Sequence, residues 1–145
     1  MSKARTLLLV LAAVAVLACL ILWSWLVLRR NERLLLETTR RAERLGRAEG
    51  ISFDEDQCFE AALERSHRLP ARAFDDLLAN RLRFEECLKA SRFVPGFCDG
   101  VPPLEDPRAT ADWQMDRSLH LSPPGRWLLV PVQRYCHSPE RRKKG

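Results

Sequence analysis

The chain has only three histidines and one tyrosine, and none of them stands in a recognisable catalytic spacing. It has no nucleophile elbow, no glycine-rich phosphate loop and no HExxH helix, the usual marks of α/β-hydrolases, nucleotide enzymes and zinc hydrolases. His67 sits beside a proline turn, where a histidine commonly serves as a helix-terminal positive charge, and His120 falls in a loop. Cys136 and His137 are adjacent. On an extended chain neighbouring side chains point to opposite faces, so the two make a poor nucleophile–base pair. No cysteine pair has CxxC spacing, and no set has the spacing of a zinc module. These absences point away from an enzyme and imply no catalytic residue, metal or cofactor.

A second absence says more. From Leu7 to Leu28 there is no charged residue, and Ser24 is the most polar side chain. At about 1.5 Å per residue a helix of that length crosses a hydrocarbon core of roughly 30 Å. Trp23 and Trp25 stand near its far end, where indole rings favour the headgroup zone, and Arg29 and Arg30 close it. These four are the expected membrane-interface residues. Cleavage after the small residues Ala13-Val14-Ala15, or before Cys19, would leave the apolar run through Leu28 as a new N-terminus in water. An uncleaved signal anchor over residues 6–28, behind a short basic tail of residues 1–5, is the better reading.

The net charge of +5 hides a division. Residues 29–48 hold seven arginines against three glutamates, and the stretch from Arg134 onward holds five bases against Glu140. Residues 49–133 between them carry fifteen acids and ten bases. An acidic folded part argues against nucleic acid as a partner, since that needs bases clustered on a folded face. Basic ends suit the anionic surface of a lipid bilayer.

Residues 29–50 lack proline and are rich in Arg, Glu, Leu and Ala, which predicts a juxtamembrane helix ended by Gly46 and Gly50. Leu35, Thr38, Ala42 and Leu45 could form a short coiled-coil seam in a homodimer, or the helix could be a solvated stalk. A small helical domain follows over residues 51–137. Ser52 and Glu55 have capping-box spacing, and Asp54, Glu55 and Asp56 suit the positive end of a helix dipole. That helix runs to about Ser66, and a second, with Phe74, Leu77, Leu78, Phe84 and Leu88 at helical spacing, runs from Ala71 to about Ser91. In the hairpin they form, Cys58 is expected opposite about Asn80. The acid pairs Asp75-Asp76 and Glu85-Glu86 read as a solvated face.

Pro95-Gly96 and Asp99-Gly100 are turn signals bracketing Phe97-Cys98, and they should carry this loop back onto the hairpin. Phe93, Phe97 and Asp99 are its candidate interaction-surface residues, with burial of the two rings as the plainer alternative. A short helix is expected around Ala109–Met115. Residues 126–135 read as an extended strap, because Pro131 forbids a central strand. The remainder, 138–145, reads as a basic disordered tail.

Cys58, Cys87, Cys98 and Cys136 are separated by 28, 10 and 37 residues, and as an even set in a small domain they read as two disulfides. Three pairings satisfy the spacing. The fold class is therefore mainly α: one transmembrane helix, a juxtamembrane helix and a disulfide-stapled hairpin with a loop-rich strap. The layout resembles small bitopic envelope proteins of bacteria in general. The more basic C-terminal flank of the anchor favours a cytoplasmic domain, but the cysteine pattern and the short basic N-terminal tail favour an inner-membrane anchor with the domain outside, in the periplasm or an equivalent lumen. A non-catalytic binding or assembly subunit of an envelope complex, with a protein partner, is the expected function. The alternatives are a structural protein self-associating through residues 29–50 and a thiol-redox protein using Cys98.

Overall fold

The structure, a computed structural model, describes residues 3–70 and 73–145, and side chains from residue 11 onward. The described residues form six α-helices, α1 (Lys3–Ser52), α2 (Glu55–Arg68), α3 (Phe74–Ala90), α4 (Pro107–Ser118), α5 (Leu129–Cys136) and α6 (Pro139–Arg142), with a 3₁₀ turn at Gly125–Leu128. No strand occurs among the described residues, only an isolated bridge between Asp54 and Arg92. Two compact units divide the chain, Met1–Thr38 and Thr39–Gly145.

In the first unit the apolar side chains from Leu11 to Leu28 are exposed on every side of the helix. The helix is long and apolar enough to cross a membrane. Folded proteins in solution seldom leave contiguous apolar patches of more than a few hundred Å² uncovered. Helix reaches back to Lys3, into the expected tail; Met1 and Ser2 lie outside the described residues.

The second unit begins earlier than the expected boundary at residue 51, and the reason lies in three small residues. Gly46 and Gly50 do not end the helix, which continues to Ser52. Both are buried, as is Ala42 one turn earlier. A Cβ at Gly46 would fall on the carbonyl oxygen of Arg83, and one at Gly50 on the carbonyl of Cys87 and 2.7 Å from the Ala90 Cβ. The absent side chains therefore let α1 and α3 touch backbone to backbone. Glu49, on the same helix, accepts from Arg83 and from Arg65, which lies 3.1 Å away on α2. Arg65 also donates to Asn80 at 2.7 Å. One carboxylate thus ties α1, α2 and α3 together.

The cap of α2 is Asp54 rather than Ser52. Its carboxylate accepts from the Gln57 N–H at 2.8 Å, and Gln57 returns the bond to the Asp54 N–H at 3.0 Å. Ser52 is unavailable because α1 still contains it. Hydrogen bonds from Glu55 to the Arg92 carbonyl and from Arg92 to the Phe53 carbonyl join the start of α2 to the end of α3. The expected α3 start at Ala71 lies outside the described residues. Asn80 faces Ala62 and Ser66, not Cys58. The hairpin register is displaced because α2 continues to Arg68 and the turn sits farther along the chain.

Cys58, Ala62, Phe84, Cys87, Leu88, Leu128, Val132 and Tyr135 form the core. The segment expected as an extended strap is helical instead, as the 3₁₀ turn and α5. Pro131 lies in the first turn of α5, where a backbone N–H would have no intrahelical acceptor, so it costs nothing there. Nor is the C-terminal segment disordered: Ser138 caps α6, and Arg141 is buried. Lys144 donates to the carbonyls of Leu88 and Ser91 at 2.7 and 2.6 Å, at the end of α3, where the Leu88 carbonyl also accepts from the Ser91 hydroxyl at 2.9 Å.

Candidate functional site

Two cysteine pairs stand at disulfide distance: Cys58 with Cys87, Cα atoms 5.8 Å apart, and Cys98 with Cys136, 5.5 Å apart. The first lies wholly inside the core between α2 and α3. The second fastens the loop after α3 to the end of α5. Cys19 is free, on the exposed apolar part of α1. The positive φ of Gly96 (89°) and Gly100 (73°) makes the two reversals that deliver Cys98.

A cleft of about 240 Å³ opens between α2, α4, α5 and the loop that carries Phe97 and Val101. Phe59, Phe97, Val101, Leu129 and Val132 supply its apolar wall. Its charged and polar lining comes from Asp56 of α2 and from Arg117 and His120, at the end of α4 and in the turn after it. Both aromatic wall residues adjoin a bonded cysteine in sequence, Phe59 after Cys58 and Phe97 before Cys98. The cross-links therefore fix the rings that shape the cleft. Trp113 also lines it, its indole N–H buried and without a partner. α4 itself buries no residue completely; Asp106 caps it and Pro107 opens it.

Opposite in character is a buried polar node that the sequence reading missed. Glu55 is fully buried. Its Oε1 accepts from the Tyr135 hydroxyl at 2.8 Å and lies 2.8 Å from Arg141 Nε, and its Oε2 accepts from the Val94 N–H at 2.9 Å. Arg141 also donates to the Val94 carbonyl at 3.0 Å, and its guanidinium lies over the Phe93 ring. Burial, then the bond to the Glu55 carboxylate, pushes the Tyr135 hydroxyl well above its ordinary pKa. Burial likewise lowers Lys144. The node joins α2, the 93–94 segment, α5 and α6, and every charged group in it is opposed by another; it is built to hold shape. Only the capping chemistry of Asp54-Glu55-Asp56 was visible beforehand, because the partners are 80 and 86 positions away.

The interaction-surface candidates separate. Phe97 packs against the core and edge-on to Tyr135, with ring centroids 6.5 Å apart. Phe93 is partly covered by Arg141, and Asp99 is exposed. Of the interface candidates, Arg29 lies over the Trp25 ring at 3.9 Å, and Trp23 projects freely. Glu86 is not on a solvated face. It holds Arg47 of α1 at 2.8 Å and Lys89 at 2.6 Å; burial raises its pKa, but those two cations outweigh burial and leave it lowered. Among the described residues no group of three or more His, Cys, Asp or Glu converges as metal ligands would.

No protein-family model, no curated protein and no solved structure matches this chain. Any function must therefore be argued from its own residues.

Proposed function

We propose that this is a single-pass anchored protein of the cell inner membrane whose domain, residues 39–145, stands on the periplasmic side and binds a protein partner without catalysis. One observation carries the reading. The same short chain joins an apolar helix with nothing packed on it to a core pinned by two cysteine pairs at bonding distance. Disulfides of this structural kind persist in oxidising compartments, which favours the domain outside and the basic N-terminus within. The flanking arginines pull the other way, since the more basic flank tends to stay in the cytoplasm. For a domain whose core depends on its cross-links, the redox argument weighs more.

A binding role suits a domain with a shaped cleft and a buried polar node, in which no nucleophile, base and orienting group are assembled among the described residues. Ala42, one of the four residues of the possible coiled-coil seam, is buried within its own chain, which leaves that seam less apolar surface to offer a second copy. The bonding of Cys98 to Cys136 likewise leaves a redox reading without a free thiol in the domain.

Protease added after the outer envelope is opened tests the topology. Residues 39–145 should be cleaved away, with the N-terminal segment protected. Full protection of the domain until the inner membrane is dissolved would overturn the reading.

A further inference from the structure

We propose that the cleft between α2, α4 and α5 receives the C-terminal residue of a partner polypeptide, one with a large apolar side chain and a free carboxylate. This rests on the reading of the domain as a binding module and names what it binds.

Size comes first. A dry cavity of about 150 Å³ takes a benzene-sized guest, whereas pockets for drug-sized ligands begin at about 300 Å³. At about 240 Å³ this cleft fits one large side chain with its terminal carboxylate. Chemistry narrows the guest further. Phe59, Phe97 and Val132 offer an apolar wall, while Arg117 and His120 offer donors to an anion. Neither Arg117 nor Asp56 is engaged in an ion pair among the described residues.

Asp56 decides between sources of the carboxylate. A simple fatty acid would bring its charge near a second carboxylate and offer it no donor. The last residue of a polypeptide carries a backbone N–H beside its carboxylate, so it can donate to Asp56 while Arg117 and His120 take the negative group. Asp56, Arg117 and His120 then each have a role. The wall is also prepared in advance, because Phe59 and Phe97 are each adjacent to a cross-linked cysteine and little ordering is left to do on binding.

Fluorescence anisotropy of dye-labelled Gly-Ser-Gly-Ser-Leu, with the full chain in lipid nanodiscs, tests the assignment. The free acid should bind at least about tenfold more tightly than the C-terminal amide, the loss typical of a charge-assisted hydrogen bond. Arg117→Gln, at an exposed position that the fold does not use, should abolish most of that difference. Equal binding of acid and amide would overturn the proposal. So would indifference to Arg117→Gln, absence of binding at millimolar peptide, or equal competition by octanoate, which would make the cleft a site for amphiphiles. Each of these failures leaves the protease-defined topology standing, so the two readings fall separately.

Discussion

Alanine in place of Gly46 or Gly50 makes a sharp test, because two effects of opposite sign compete at those sites. In an exposed helix, Gly→Ala stabilises by about 0.8–1.0 kcal/mol through backbone entropy alone. Here the new Cβ would meet backbone, at Gly50 with the Ala90 Cβ only 2.7 Å away against the ~3.5–4.0 Å of ordinary carbon contact. No side-chain rotation relieves that overlap; α1 and α3 must move apart. Overpacking of this kind costs about 1–3 kcal/mol, so after the helical gain is counted each substitution should bring no stabilisation and leave the protein up to about 2 kcal/mol less stable. Ala48, exposed on the same helix, supplies the scale: Ala48→Gly should cost about 1 kcal/mol from propensity alone. Urea unfolding of the detergent-solubilised protein, followed by tryptophan fluorescence, reads all three. Stabilisation by Gly46→Ala and Gly50→Ala would mean that this part of α1 is a free stalk, and the packing described above would be wrong.

Removing residues 138–145 should destabilise the domain by about 3–5 kcal/mol, because Glu55 is left buried without Arg141; a truncated protein as stable as the full chain would show the segment to be a passive tail. Tyr135 is the chain's one tyrosine, so its ionisation can be followed alone by ultraviolet absorbance. With its pKa raised in the folded state, it should stay protonated well above pH 10. Its contribution to stability is full below about 10, the unfolded value, and is lost as pH rises through the folded one. A native titration midpoint near 10 would refute the buried bond to Glu55. Replacing Cys98 and Cys136 together by serine should cost about 3–4 kcal/mol, the loop-closure entropy of a 38-residue separation, measurable by the same urea unfolding; a loss below about 1 kcal/mol would mean that the bond constrains little.

What the sequence made legible was mostly periodic or compositional. The uncharged run from Leu7 to Leu28 shows as an apolar helix, and of the stripe Phe74, Leu77, Leu78, Phe84 and Leu88 the structure buries Leu77, Phe84 and Leu88, whereas Phe74, at the start of α3, is exposed. The spacing of four cysteines pointed to two bonds, though not to which. Local signals with two meanings misled. Glycine reads as a helix end, yet at Gly46 and Gly50 it permits a close approach that only the position of α3 reveals. Pro131 reads as a bar to regular structure, but a helix starting two residues earlier accepts it. Ser52 and Glu55 have the spacing of a cap, and Asp54 and Gln57, with the same spacing, take the role because α1 has not yet ended. The tail reads as disordered on charge alone, since nothing nearby shows that Arg141 answers Glu55 or that Lys144 closes α3. The cleft was invisible for the same reason: Asp56 and Arg117 are brought together by folding, not by spacing.

Everything above turns on the oxidation state of the domain in the cell. Blocking thiols before lysis and mapping peptides without reduction should yield Cys58 linked to Cys87 and Cys98 linked to Cys136, with Cys19 alone carrying the blocking group. Four blocked cysteines in the domain would contradict an oxidising location.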